Sequence, residues 1–198
     1  MTPSSTDLAA LIGSRICHDL ISPIGAINNG LELLNMSGAA EGPEMSLIGE
    51  SVGNASARIR FFRIAFGAAG DQMVGRSEIV SILRDLYHNS RLEVVWDPSE
   101  PQPRSAVRLS FLALLCLETA MPYGGQIVAR TEGGTWRLKG TADKLNVDAP
   151  LWEMLANVQP PVQVQPSQVQ FALLPMVASD DDRQVTSQAD EKSVEISF

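Results

Sequence analysis

Between residues 6 and 66 the apolar side chains repeat twice at helical spacing, on either side of a run of helix breakers, and nothing else in the chain restricts the fold so strongly. At about 100° per residue, Leu8, Ile12, Ile16, Leu20, Ile24, Ile27, Leu31 and Leu34 share one side of a helix over residues 6–36. After the connection "NMSGAAEGPE", a second helix carries Ile48, Val52, Ala55, Ile59, Phe62 and Phe66 at alternating spacings of four and three, the seam of a bundle helix. The pair reads as an antiparallel helical hairpin. Two helices alone leave much of both seams in water, at a cost of about 25 cal/mol per Å² of apolar surface. Two hairpins joined as a four-helix bundle would cover them, so a homodimer is expected.

From Met73 onward the pattern alternates between helix and strand. Residues 77–89 read as a helix, "LEVVWD" as a strand, and residues 105–120 as a second helix. "GQIVART" and "TWRLKG" read as strands joined by Glu-Gly-Gly, "SQVQFALLPMVAS" as a helix despite Pro175, and the stretch from "RQVTSQA" to "SVEISF" as a closing hairpin. Pro98, Pro101 and Pro103 mark one loop; Pro160, Pro161 and Pro166 break another. The expected architecture is therefore α plus α/β: a helical hairpin over residues 1–72, then an α/β domain over residues 73–198.

Composition narrows the function classes. Fifteen Lys and Arg against 23 Asp and Glu give a net charge of −8, which repels phosphate backbones and anionic lipid head groups. Direct nucleic-acid or membrane partners are not expected. The start, "MTPSSTDLAALIGS", has neither a basic region nor a long apolar core, and no later segment reaches the roughly 18 apolar residues that span a bilayer. A cytoplasmic location follows as the expectation. Cys17 and Cys116 lie far apart without CxxC spacing, so neither a disulfide framework nor a thiolate metal site is indicated.

The first helix contains "RICHDLISPIGAINNG", residues 15–30. With His18 as the origin of the helical wheel, Leu11, Ser14, Ser22, Gly25 and Asn29 lie within about 40° of it, opposite the apolar seam. His18 should thus face solvent along a stripe of mostly small or polar residues, leaving room for another protein to approach the imidazole. Asp19 can bond one ring nitrogen and leave the other as an unprotonated nucleophile. Pro23 has no N–H for the carbonyl of Asp19 and should bend the helix at that turn, at a cost of about 3 kcal/mol.

"HDLISPI" resembles the H-box of histidine-kinase dimerisation and phosphotransfer domains: a His, an acidic residue, two variable positions, a small polar residue, Pro and an aliphatic residue. Here these are His18, Asp19, Ser22, Pro23 and Ile24. A sensor kinase would also need ATP. In the region similar to a kinase ATPase domain, Leu115 and Thr119 stand where the magnesium-holding asparagines of the N-box belong. "GTADK", residues 140–144, stands in place of Asp-x-Gly-x-Gly, and "QPSQVQ", where the lid belongs, has no glycine to let backbone N–H groups approach phosphate. The resemblance implies a kept fold with the nucleotide chemistry lost.

That combination resembles the ChpT-type histidine phosphotransferases of alphaproteobacterial phosphorelays, most distinctively in "CHDLISPIGAINNGLELL". The resemblance implies a dimer without kinase activity, which takes a phosphoryl group from the receiver domain of a hybrid kinase onto His18 and passes it to response regulators. Asp19 would orient His18 or accept its proton, and Ser22, one turn on, would hydrogen-bond a phosphoryl oxygen. No cofactor of its own is implied; magnesium would come from the receiver. Leu11, Ser14, Arg15, Ser22 and Gly25 are expected to contact that partner. The alternative is a protein that binds and sequesters a response regulator without chemistry, and a kinase with unrecognisable boxes would bind ATP tightly. His88 is expected to cap a helix or be solvated. Arg58, Arg60 and Arg63, which share no tight face, and Asp180 to Asp182 are expected on a solvated surface.

Overall fold

The structure, a computed structural model, describes residues 5–37, 42–68, 70–156 and 164–198. Helix α1 (Ser5–Ser37) runs without interruption through Pro23 and packs along α2 (Pro43–Ala65). The expected breaker run is shorter than its composition suggests. Asn35 to Ser37 still belong to α1, and Pro43 opens α2 at its first position, where a missing N–H costs nothing. Gly30 lets the two helices approach closely: a Cβ there would sit 2.6 Å from the Cγ1 of Ile48.

The α/β part begins with strand β1 (Met73–Val74) and helix α3 (Arg76–Tyr87), followed by β2 (Leu92–Trp96), β3 (Gln102–Pro103) and α4 (Arg104–Ala120). Strands β4 (Gly125–Glu132) and β5 (Thr135–Thr141) precede the short α5 (Ala149–Glu153), whose last turn tightens into 3₁₀ geometry at Met154–Ala156. A 3₁₀ turn at Pro166–Gln168 leads into α6 (Val169–Asp180), and β6 (Thr186–Ala189) and β7 (Ser193–Ser197) close the chain. Pro160 and Pro161, read from the sequence as loop breakers, lie outside the described residues.

Five strands form one sheet in the order β2-β4-β5-β7-β6, with β2 and β4 parallel and the other neighbours antiparallel. The β4–β5 turn has Gly133 and Gly134 at φ 58° and 85°, the left-handed pair that a tight hairpin requires. Along β5, Trp136, Leu138 and Gly140 are buried and alternate with exposed Thr135, Arg137, Lys139 and Thr141. One face of the sheet is therefore covered by the helices and the other is open. Helix α4, apolar on nearly every side, is the centre of the helical layer and is buried from Leu109 to Leu117.

The hairpin helix α2 ends at Ala65 and the first strand begins at Met73, yet the packing does not divide between them. Leu8, Phe61, Phe62, Ile64 and Ala65 of the hairpin belong to the same core cluster as α4 and the sheet. Phe61 stacks on Phe111 of α4 with centroids 4.4 Å apart and planes 3° from parallel. Arg104 donates to the carbonyls of Arg63 and Ala68, and Arg108 to that of Ala65, satisfying acceptors at the end of α2 and in the turn that follows it. The apolar seam expected on α2 consequently splits. Val52 is 49% and Ile59 55% exposed in the single chain, whereas Phe62, at 5%, is buried in the shared core.

Candidate functional site

Helical spacing alone places His18 at the surface, and the structure leaves its side chain 84% exposed near the middle of α1. Ser14, Ser22 and Asn29 are exposed on the same stripe, and Gly25 has open space around its Cα. The imidazole Nδ1 lies 3.2 Å from Oδ1 of Asp19. A carboxylate can only accept, so a hydrogen bond here calls for the proton on Nδ1 and leaves the lone pair on Nε2 of the exposed ring.

Asp19 is itself held from behind, with its side chain only 11% exposed. Arg15, one turn earlier, donates from Nε to Oδ2 at 2.7 Å, and an Nη of Arg58 reaches the same oxygen from α2 at 3.6 Å. Asn54 orients Arg58 by accepting from its Nε at 3.0 Å. Arg15 also donates from Nη1 to the carbonyl of Ser167 at 2.6 Å, tying α1 to the turn before α6. Of the residues expected to face a partner, Arg15 is therefore drawn inward, and Leu11 is half-buried against the shared core. The i,i+4 spacing of Arg15 and Asp19 was a local signal of that inward turn. Arg58 carried no such signal, because its partner lies on another helix.

Beside Asp19, between the hairpin and the C-terminal ends of α3 and α4, lies a cleft of about 690 Å³ lined by Asp19, Arg58, Arg60, Tyr87, His88 and Glu118 among others. Arg60 pairs with Asp85 of α3 at 2.6 Å, which holds the Asp85 carboxyl below its usual range. Arg63 stays exposed, 3.8 Å from Glu78. His88 is exposed and caps α3 through its backbone N–H to the carbonyl of Arg84, as the sequence indicates. Burial pushes the Glu118 carboxyl up, against the pull of Arg15 and Arg58. The buried Tyr87 hydroxyl, next to that carboxyl, makes no hydrogen bond of standard geometry, and its pKa is pushed well up by burial and then by Glu118.

The Gln170 amide is fully buried, and its Nε2 lies 3.1 Å from Thr119 Oγ1, 3.0 Å from the carbonyl of Ser167 and 3.4 Å from that of Leu115. One side chain thus fastens the turn before α6 to Leu115 and Thr119 of α4. Among the described residues, no group of three or more His, Cys, Asp or Glu is placed to hold a metal ion, and no helix is long and apolar enough to cross a membrane.

Comparison with known proteins bears on the family and the fold. Residues 76–193 match the model of a family described as "Histidine phosphotransferase C-terminal domain". Protein phosphotransferase ChpT of Brucella abortus (strain 2308) is 45% identical over 136 residues, which are 67% of this chain and 65% of that protein. The match thus spans just under two thirds of that relative's length. A solved structure described as "1.7 Angstrom Structure of a Bacterial Phosphotransferase" superposes with a TM-score of 0.83 at 35% identity, over 100% of this chain and 99% of the other. Its similarity therefore extends over the hairpin that the family match leaves out.

Proposed function

The chain belongs to the histidine phosphotransferase family whose C-terminal domain it contains, and from that premise we propose that it relays phosphoryl groups between aspartyl-phosphate receiver domains through His18. The observation that carries this reading is the exposed imidazole, whose Nδ1 faces a braced Asp19 while Nε2 is free. In the transfer step the Nε2 lone pair attacks phosphorus in line, a P–N bond forms, and the bond to the receiver's aspartyl oxygen breaks with its electrons leaving on the carboxylate. Asp19 holds the Nδ1 proton and stabilises the positive charge that develops on the ring. Transfer to a second receiver is the reverse of the same step. Exposed Ser22, one turn from His18, hydrogen-bonds a phosphoryl oxygen.

Magnesium and the acidic residues that hold it come from the receiver, and this chain uses no ATP. Leu115 and Thr119, where the resemblance would place magnesium-holding asparagines, support that part of the reading, and the buried Gln170 amide bonds to both. The donor is the receiver of a hybrid kinase and the acceptors are response regulators, met in the cytoplasm. Two chains pair through the exposed apolar stripe that includes Ile24, Leu31, Val52 and Ile59, burying it in a four-helix bundle with the His18 sites outside.

Incubation with a phosphorylated receiver should label the wild type and leave His18→Ala unlabelled, with an acid-labile, base-stable phosphate. Labelled ATP alone should leave both unlabelled. Autophosphorylation at kinase rates would refute the relay reading, and an unlabelled protein that still binds the receiver would favour sequestration.

A further inference from the structure

Two guanidinium groups converge on one oxygen of Asp19, at 2.7 Å and 3.6 Å, while its other oxygen faces His18. A carboxylate held by two cations in a partly buried place is a weak acceptor for anything else, because its charge is already compensated. The orientation of His18 thus depends on how much of Arg15 and Arg58 remains for Asp19. A second carboxyl lines the same cleft: Glu118, near the C-terminal end of α4, lies within the field of Arg15, Arg58 and Asp19. It has no role in the transfer step as written above. Two carboxyls and two guanidiniums from α1, α2 and α4 therefore form one shared charge cluster.

We propose that Glu118 is a positioning residue for transfer at His18: by sharing Arg15 and Arg58 with Asp19, it sets how firmly Asp19 holds the imidazole. The proposal rests on His18 being the phosphoryl acceptor, and it gives the α/β part a direct influence on a nucleophile that the hairpin carries. Neutralising Glu118 leaves both cations to Asp19. The Nδ1–H contact then weakens, and the imidazolium loses part of its stabilisation. The charged or titratable groups facing Glu118 are Arg15 and Asp19 on α1, Arg58 on α2 and Tyr87 on α3. Glu50 and Arg60 of α2 and Arg84, Asp85 and His88 at the α3 end line the same cleft.

The test is NMR titration of the His18 ring, assigned by its loss in His18→Ala, together with single-turnover transfer from a phosphorylated receiver. In Glu118→Gln the His18 midpoint should fall by roughly half a unit. The transfer rate at saturating receiver should fall about fivefold, with receiver affinity unchanged. In the Asp19→Asn background the same Glu118→Gln change should cost nothing further, because its route to His18 is gone. Glu118→Asp, which keeps the charge, should restore the midpoint. Should Glu118→Gln not fold, Arg58→Gln removes a shared cation instead and should move the His18 midpoint upward. An unmoved His18 titration, or an equal loss of transfer with and without Asp19, would overturn the proposal. The titration does not use phosphoryl transfer, so failure of the relay reading would appear separately, as labelling of His18→Ala or as a wild type that stays unlabelled.

Discussion

Replacing Phe61 with Ala should expose how far the hairpin and the α/β part depend on each other. The ring is fully buried, lies parallel to Phe111 of α4 at 4.4 Å and meets Phe62 edge-on at 6.0 Å. Removing it from a site walled by two elements of different origin leaves a cavity that cannot readily collapse. The expected loss is about 4 kcal/mol, of which roughly 1 kcal/mol is the aromatic pair itself. That is a large part of the roughly 5–15 kcal/mol by which a domain is stable. At a urea dependence of about 2 kcal/mol per molar, the midpoint should fall by about 2 M. All three tryptophans, Trp96, Trp136 and Trp152, are buried in the α/β part. Their fluorescence therefore follows that part alone, while far-UV circular dichroism is weighted towards the long helices of the hairpin. At one fixed protein concentration both signals should move together in wild type and variant. A shift below about 0.5 M, or tryptophan and dichroism transitions that separate in the wild type, would refute the shared core.

Charge on the expected seam should act differently at its two ends. Ile59→Glu, on an exposed position, should give folded monomer by sedimentation, whereas Phe62→Glu should abolish folding because it buries an unpaired charge at a cost of several kcal/mol. Thiol reagents should modify exposed Cys17 in the native protein and reach buried Cys116, whose thiol pKa is pushed well up, only after denaturation, as counted by mass spectrometry. Glu118 gives a pH test. Its folded pKa is raised above the ordinary 4.5, so the native state binds more protons than the unfolded one. Stability contributed at this residue is present below 4.5 and is lost as pH rises through the folded value. Glu118→Gln lacks that loss, so its stability relative to wild type should improve from pH 4 to pH 7, measured by urea midpoints; a flat or falling difference would contradict the assigned burial.

Local patterns were legible without coordinates wherever the physics is local. The 3.6-residue rhythm of α1, the alternation of β5, the Gly-Gly turn and the helical tendency of residues 169–180 each depend on neighbours in sequence. So did the exposure of His18 and its pairing with the adjacent Asp19. The two-residue ladder between β1 and β3 was not legible, since two residues carry no period and its register exists only once the segments meet.

The sequence by itself determined which side chains could do chemistry: an imidazole with a neighbouring carboxylate on a helix. Tertiary structure alone decided how they are held. The C-terminal end of α2 is apolar on two faces, and only contact with α4 selected Phe61 and Phe62 for the core and left Ile59 outside. Arg58 and Glu118 lie 60 residues apart, on helices whose own periodicity says nothing of each other, yet both line the cleft beside Asp19. Periodicity fixes the face of one helix; the charge that surrounds a buried carboxylate is the sum over every element packed against it, and that sum exists only after the elements have met.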